Sequence, residues 1–439
     1  MRKICAIIHN RANYGSIKSV LHQINKSKKF RLQLIIGGSA NLERFGSVVE
    51  IIKKDKFKIN KQINFVVEGN STLEMAKSTG LAIIELSSAL KELKPDLVIT
   101  VGDRYETIAT AISSSYMNIP LAHTMGGEVS GTIDENVRHA VTKFSNIHFP
   151  ATELAKKNII KMGEDKKYVF NVGCPRIDEV KHLIETSKTN LNKIINKYGV
   201  GSEIDTSKPF ITIMNHPVTT EYGTGEQQIS KILNVVNKIN IQKIVFWPNP
   251  DAGSEDISRG IRKWREKFGD KKTRYIKNLE QKYFYNLLNK TTCLIGNSSS
   301  GIREGCYLGL INICIGSRQS GREIGKNTIM IDNDEKNLLK ILKKIINKKT
   351  KKIKDLKYGD GTSGKKIVKI LEKIDFKFEK KLQYQSVKSL NLTKEFSFTF
   401  FFNFFPINSL YLLAEIPLSG FKKLNIFKFI FCPLLNEDL

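Results

Sequence analysis

Residues 292–318 read TCLIGNSSSGIREGCYLGLINICIGSR, an order of residue types that predicts strand, turn, helix, strand. Cys293, Leu294 and Ile295 form an apolar run too short for a helix, and Gly296 ends it. The following turn offers small residues and three hydroxyls, Ser298, Ser299 and Ser300. The first N–H groups of a helix lack intrahelical acceptors, so glycine and serine at a strand-to-helix junction let a phosphate approach backbone donors. Glu304, one turn further on, would repel phosphate but can accept two ribose hydroxyls, which points to a nucleotide rather than inorganic phosphate. Taken alone, such serines also fit an ordinary capped turn. The next strand, 310–315, runs into Gly316-Ser317-Arg318, and an arginine at the carboxyl end of a parallel strand lies where open α/β sheets take ligands.

The same unit recurs outward in both directions. Strands are expected at 210–214, 243–246, 274–276 and 329–331, with helices at 283–288, 335–346 and 365–374. His216 follows the first of these strands, where an imidazole can meet a phosphate or a leaving oxygen, although a lone histidine is more often structural. Asn249 follows the second, in Trp247-Pro248-Asn249-Pro250.

Toward the N-terminus the pattern predicts strands at 4–8, 32–36, 97–101, 119–122, 147–150 and 169–172, and helices at 17–24, 42–54, 74–93, 108–116, 134–144 and 153–162. Arg11 falls in the first loop, as a bidentate phosphate fork or as a solvated arginine. Gly102-Asp103-Arg104 closes the strand 97–101 with an acid and a base side by side. Asp103 reads as a general acid or base and Arg104 as a phosphate clamp; the alternative is a capping aspartate paired with its neighbour. From His123 to His139 the chain carries Glu128, Asp134, Glu135 and Arg138 on a glycine-rich segment. That density packs poorly and suits proton transfer at carbon, with an Asp134–Arg138 ion pair as the structural alternative.

The whole reads as α/β with two Rossmann-like domains: 1–176, a helical, lysine-rich connection 177–208, and 209–388 with terminal helices. A chain of 439 residues accommodates that arrangement. The net charge of +28 comes from lysines spread along the chain rather than from an arginine stripe with aromatics, so no nucleic-acid partner is expected. Six cysteines without CxxC or zinc spacing read as reduced core residues of a cytoplasmic protein, and neither a metal nor a cofactor is expected. The N-terminus reads as a first strand rather than a signal peptide. Beyond 388 the α/β pattern stops, and seven phenylalanines between Phe396 and Phe405 crowd a run free of charge until Glu415. This apolar tail, 389–439, is read as an out-of-frame extension, a membrane-associating segment or a dimer-packing segment.

Several of these stretches occur together in one known group. RANYG at Arg11, GDRYE at Gly102, GGEVSGTIDENVRHAVTKFS at Gly126, HPVTTE at His216, PNPDAGS at Pro248, GNSSSGIRE at Gly296, GSRQSGRE at Gly316 and YGDG at Tyr358 follow in order. In them the chain, to about residue 385, resembles the hydrolysing UDP-N-acetylglucosamine 2-epimerases of sialic and related nonulosonic acid biosynthesis. The resemblance implies a glycosyltransferase-B-like pair of Rossmann domains with the nucleotide in the cleft between them. It implies UDP contacts from Arg11, Arg104, His216, Asn249, Ser298, Ser299, Glu304 and Arg318, with backbone contacts near Asn278 and Leu279. It implies catalytic roles for Asp103 and Asp134, with Glu128 and His216 as further candidates, and a homo-oligomer, dimer or tetramer.

The group's reaction eliminates UDP with loss of the carbon-2 proton and then adds water, leaving the free 2-epimer. The substrate expected here is UDP-N-acetylglucosamine or a 4-acetamido-6-deoxy relative. Two positions depart from the pattern: Met125 stands where known members carry a catalytic glutamate, and Asn13 stands where aspartate is usual. A glycosyltransferase of the same architecture and a silent UDP-sugar binder are the competing readings.

Overall fold

In the N-terminal half, apolar runs become strands because parallel strands covered by helices are buried on both faces. The computed structural model describes residues 1–43, 48–68, 72–129, 134–186, 190–218, 221, 223–248, 253–347 and 352–383. The first half comprises β1 (Arg2–Ile8), α1 (Arg11–Lys26), β2 (Phe30–Ile36), α2 (Val48–Lys54), β3 (Lys61–Gln62) and α3 (Thr72–Leu93). It continues with β4 (Leu97–Val101), α4 (Tyr105–Tyr116), β5 (Leu121–Thr124), α5 (Asp134–Phe144), β6 (Ile147–Phe149) and α6 (Glu153–Lys161). Then come α7 (Pro175–Thr186), α8 (Leu191–Tyr198), β7 (Gly199–Gly201), β8 (Phe210–Met214), α9 (Gly225–Asn237), β9 (Gln242–Phe246) and α10 (Ser254–Phe268). The remainder is β10 (Thr273–Ile276), α11 (Gln281–Lys290), β11 (Cys293–Gly296), α12 (Ser299–Ile302), α13 (Glu304–Leu308), β12 (Ile311–Ile315), β13 (Thr328–Ile331), α14 (Glu335–Asn347) and α15 (Ser363–Leu371).

Among the described residues the strands form two sheets, ordered β3-β2-β1-β4-β5-β6 and β13-β12-β11-β8-β9-β10-β7. All pairings are parallel except β7 on β10, where Arg274 faces Gly201. In each sheet the strand order reverses beside a central pair, β1/β4 in the first and β11/β8 in the second, and ligands of such sheets bind beyond the carboxyl ends there. The expected α/β architecture of two Rossmann-like domains is the one observed.

The final helix ties the two halves together. α15 lies against α1 and α7, and the Asp178 carboxylate accepts from the Ser363 and Gly364 N–H groups at 2.9 and 2.7 Å, capping its first turn. At its other end Arg2 donates to the Leu371 and Ile374 carbonyls at 2.7 and 2.9 Å.

Several local expectations are corrected. Asn10 caps α1 by accepting the Asn13 N–H at 2.9 Å, so the helix starts at Arg11 and not at residue 17. β5 starts at Leu121 rather than 119 because Pro120 has no N–H to give the ladder, and His123 therefore sits in the strand. The segment 169–172 forms only an isolated bridge, Val169 to His148. The connection 177–208 is not wholly helical, since β7 joins the second sheet. In place of one helix at 42–54, a 3-10 turn (Gly38–Asn41) precedes α2, and 44–47 lie outside the described residues. α9 and α10 were not expected. No described helix is long and apolar enough to cross a membrane, and the tail 389–439 lies outside the described residues.

Candidate active site

The carboxyl ends of β4 and β5 supply the acids. Asp103 follows β4, and α5 returns Arg138 toward it: Arg138 Nε donates to Asp103 Oδ2 at 2.9 Å, and Nη2 makes a second, shorter bond to the same oxygen. Burial would raise the Asp103 pKa, but Arg138, with Arg322 and Arg303 behind it, holds the carboxyl below its usual range. The side chain keeps 26% of its surface open, so the carboxylate stays accessible from outside. Arg138 is almost fully buried and also donates from Nη1 to the Glu128 carbonyl at 2.7 Å. Asp103 is thus held from α5, not by its neighbour Arg104. Arg104 is half-exposed and reaches Glu106 at 3.4 Å. Asp134 is the first residue of α5.

Glu128 is buried. Its Oε2 accepts from Arg303 Nη2 at 2.5 Å and lies 3.6 Å from Arg322 Nη1, so residues of the second sheet's loops hold a side chain from the first. Burial opposes ionisation, yet Arg303 and Arg322 keep this carboxyl below its usual range as well. Burial, then the charge of Arg303, lowers the Arg322 pKa in turn.

In the second half, Gly296 has φ +131, and a Cβ there would run into the Met214 carbonyl, so only glycine lets β11 and β8 end side by side. Asn297 exploits that closeness: its Oδ1 accepts the His216 N–H at 2.7 Å and its Nδ2 donates to the His216 carbonyl at 2.8 Å. The Asn297 carbonyl accepts from Gln319 Nε2 at 2.9 Å and Arg318 Nη1 at 3.3 Å. One residue, through its side-chain amide and its main-chain carbonyl, therefore joins the loops after β8, β11 and β12. Burial, then the Arg318 charge, pushes the His216 imidazole down to about 3, so near neutral pH the ring is a hydrogen-bonding group without charge.

Ser298 caps α12 by accepting the Ser300 N–H at 3.3 Å, and Ser299 opens the helix. That helix has four residues and breaks at Arg303 before α13, so local N–H groups rather than a long helix dipole face the turn. Glu304 opens α13, buried, with Oε1 3.4 Å from Arg176 Nη1 and Oε2 without a hydrogen-bond partner. Arg176 donates to Ser16 Oγ at 2.7 Å and to the Ala12 carbonyl at 3.2 Å, linking Glu304 to the first turn of α1, where Arg11 is partly exposed. Asn278 is exposed and Leu279 buried in the turn before α11. Asn249 lies outside the described residues.

The sequence pattern of the UDP-N-acetylglucosamine 2-epimerase family matches residues 22–372. The chain belongs to this family. Among its relatives, the UDP-N,N'-diacetylbacillosamine 2-epimerase (hydrolyzing) of Legionella pneumophila is 33% identical over 85% of this chain and 96% of its own. The GDP/UDP-N,N'-diacetylbacillosamine 2-epimerase (hydrolyzing) of Campylobacter jejuni is 31% identical over 80% and 89%. In fold the chain is similar to the Neisseria meningitidis UDP-GlcNAc 2-epimerase crystallised with UDP-GlcNAc, with TM-score 0.73 and 18% identity over 85% of this chain and all of that one. It is also similar to the Methanocaldococcus jannaschii enzyme in complex with UDP-GlcNAc and UDP, with TM-score 0.69 and 20% identity over 84% and 99%.

Met125 in this epimerase chain belongs to the apolar core of the first half. Its backbone has φ 64, its N–H donates to the Phe149 carbonyl at 3.0 Å, and its side chain is buried with Sδ 3.8 Å from Cys174 Sγ. The proton-transfer position of known epimerases is here part of an apolar core. His123 donates or accepts at Nε2 with the Gly102 carbonyl at 2.8 Å, and burial pushes its ring down to about 4. Sequence reasoning missed Arg138 as the partner of Asp103, and missed Asn297, Arg303, Arg322 and Arg176 altogether. The signal for three of them was present: Asn297, Arg303 and Arg322 fall inside GNSSSGIRE and GSRQSGRE.

Proposed function

We propose that the chain is a hydrolysing 2-epimerase acting in the cytoplasm on a UDP-linked 2-acetamido sugar, with UDP-N,N'-diacetylbacillosamine as substrate, for nonulosonic acid and surface glycan synthesis. The observation that carries it is Asp103, a carboxylate after β4 that Arg138 holds below its usual pKa range while part of its side chain stays open to solvent. A carbon-2 proton is weakly acidic, so its removal needs a fixed, partly desolvated carboxylate and strong stabilisation of the leaving group.

In the proposed reaction a carboxylate, Asp103 or Asp134, takes the carbon-2 proton. The C1–O bond breaks with its electron pair leaving on UDP, and a C1–C2 double bond forms. Water then adds its oxygen to C1, and a proton returns to C2 from the opposite face. His216, neutral at working pH, donates a hydrogen bond to the departing diphosphate rather than a proton from an imidazolium. Arg318, Arg11, Ser298 and Ser299 hold the phosphates. Glu128 anchors Arg303 and Arg322 and is not the proton shuttle. The names of the two relatives above support the choice of sugar.

The test is incubation with UDP-N,N'-diacetylbacillosamine and with UDP-N-acetylglucosamine in heavy water. UDP release with deuterium at carbon 2 of the free 2-epimer is the expected result. Transfer only when an acceptor is added, or saturable binding without turnover, would replace this reading by a glycosyltransferase or a silent binder.

A further inference from the structure

The serine turn after β11 and the carboxylate after β4 belong to different halves of the chain, and one ion pair stands between them. Ser299 and Ser300 open α12, which closes at Arg303, whose N–H donates to the Ser299 carbonyl at 3.0 Å. From there the Arg303 side chain crosses to the first half and donates from Nη2 to Glu128 Oε2 at 2.5 Å, with Arg322 Nη1 3.6 Å from the same oxygen. The main-chain carbonyl of Glu128 accepts from Arg138 Nη1 at 2.7 Å, and Arg138 Nε donates to Asp103 Oδ2 at 2.9 Å. Serine turn, Arg303, Glu128, Arg138 and Asp103 thus form one unbroken series of hydrogen-bonded contacts.

We infer that Glu128 and Arg303 are positioning residues, through which the serine turn sets the orientation of the Asp103 carboxylate; this rests on the function proposed above. Both act through Arg138. A guanidinium is planar and its N–H groups have fixed directions, so the fork that holds Asp103 turns as a unit when the Glu128 carbonyl on its other side moves.

The peptides around Glu128 are pinned from two directions. Gly127 comes so close to the Ala155 carbonyl that a Cβ there would overlap it, and Asn158 Nδ2 donates to the Gly127 carbonyl at 2.9 Å, which fixes the preceding peptide against α6. The next peptide carries the carbonyl that Arg138 uses, and it is tied to the second half through the Glu128 side chain. Glu128, Arg303 and Arg138 are all buried. Buried ion pairs stabilise a fold poorly, because desolvating the charges offsets most of their attraction and apolar residues of similar volume often serve as well. Their advantage over apolar packing is direction, and direction is what proton transfer needs, since a misplacement of about 1 Å at a reacting group can cost on the order of a hundredfold in rate. The arrangement also joins the two tasks of the reaction: the turn that would carry the leaving nucleotide is connected to the group that would take the proton.

The experiment measures UDP release from UDP-N,N'-diacetylbacillosamine and from UDP-N-acetylglucosamine by the full chain, Glu128→Gln, Arg303→Met and the double variant, with UDP-binding sites counted by calorimetry. In each single variant kcat per UDP-binding site should fall about tenfold or more while the Kd for UDP rises less than about threefold, because misaligning a reacting group acts on the transition state rather than on ground-state binding. The double variant should be no slower than the worse single one to within about twofold, as both substitutions remove the same interaction. A pair that only holds the fold together would lower the melting temperature and the number of binding sites and leave kcat per site unchanged. That result, or losses that multiply in the double variant, would overturn the inference. Should a single variant fail to fold, the double variant, which removes both charges of the pair together, is read by the same kcat per site. A wild type that gives the free 2-epimer while the variants match it per site removes the positioning role alone. A wild type that transfers the sugar only to an added acceptor, or binds UDP without turnover, removes the function proposed above and this role with it.

Discussion

Asp103 and Arg138 show how a catalytic carboxylate can be both buried and charged. Burial alone would favour the protonated form, and two N–H bonds to one oxygen reverse that, so the carboxyl is held below its usual range. Asp103→Asn keeps the shape but can neither take up nor return a proton. Turnover should fall roughly a hundredfold or more while UDP affinity stays within about twofold, measured by UDP release and by calorimetry. Near-normal turnover would move the proton to Asp134. How far this was legible differs residue by residue. Asp103 stood out because it follows an apolar run directly, and His216 and Ser298 did so for the same reason. Their partners did not stand out, since Arg138 lies 35 residues from Asp103 and Asn297 lies 81 from His216. Those contacts exist only after strands β4 and β5, or β8 and β11, have been laid side by side, and no local pattern encodes that. Met125 is the reverse case: the departure was visible, but only the packed chain shows that its side chain has left the site for the core.

Buried strands set the pH response of the fold. The carboxyl ends of β1 and β8 and the middle of β5 carry His9, His216 and His123, all buried, and burial pushes them to about 3, about 3 and about 4 from an ordinary 6.5. An imidazole whose folded pKa lies below its unfolded one stabilises the fold above the unfolded value. That contribution is lost as pH falls toward the folded value, because only the unfolded chain takes up the proton. The melting temperature should therefore drop as pH is lowered from about 6.5 to 4, before the depressed carboxyls Asp103 and Glu128 begin to titrate. His9→Gln, which can keep the 2.8 Å bond to Thr110 Oγ1, should flatten that slope in a series of thermal melts; an unchanged slope would remove the buried histidines as its cause. The strands holding these residues were readable as short apolar runs bounded by glycine or proline. Two elements escaped because their apolar residues are few: α10 carries Ile257, Ile261 and Trp264 among many charges, and β7 is two glycines around a valine; α9 escaped although Ile229, Ile232, Leu233, Val235 and Val236 are apolar. The phosphate turn was read as one helix, and Arg303 breaks it so that its guanidinium can reach Glu128.

Across the whole molecule, the chain's last described segment decides where the folded unit ends. After α15 the backbone crosses to the first sheet's helices, and Asn146 Nδ2 donates to the Phe378 carbonyl at 2.7 Å while the Gln383 N–H donates to the Gly163 carbonyl at 2.9 Å. Between them Lys380 Nζ reaches the Lys143 and Ser145 carbonyls at 2.6 and 2.7 Å and the buried Glu164 at 2.6 Å, so one ammonium closes the end of α5 and neutralises a carboxylate also held by His148 and Lys143. A cation at the carboxyl end of a helix satisfies carbonyls that have no intrahelical donor. α5 carries Arg138, which makes this strap a support for the catalytic carboxylate at one remove. We place the end of the catalytic unit beyond this strap, near residue 388. A chain shortened to residues 1–388 should keep its melting temperature and turnover. One shortened to 1–376 should lose about 3 kcal/mol or more of stability in denaturant titrations, because it leaves Glu164 short of a charge and the carbonyls of α5 unmet. If Lys380→Met in the longer chain reproduces most of that loss and lowers turnover with it, the strap acts through the lysine. Should 1–388 itself melt far lower than the full chain, the residues beyond it belong to the fold, and the boundary proposed here is wrong.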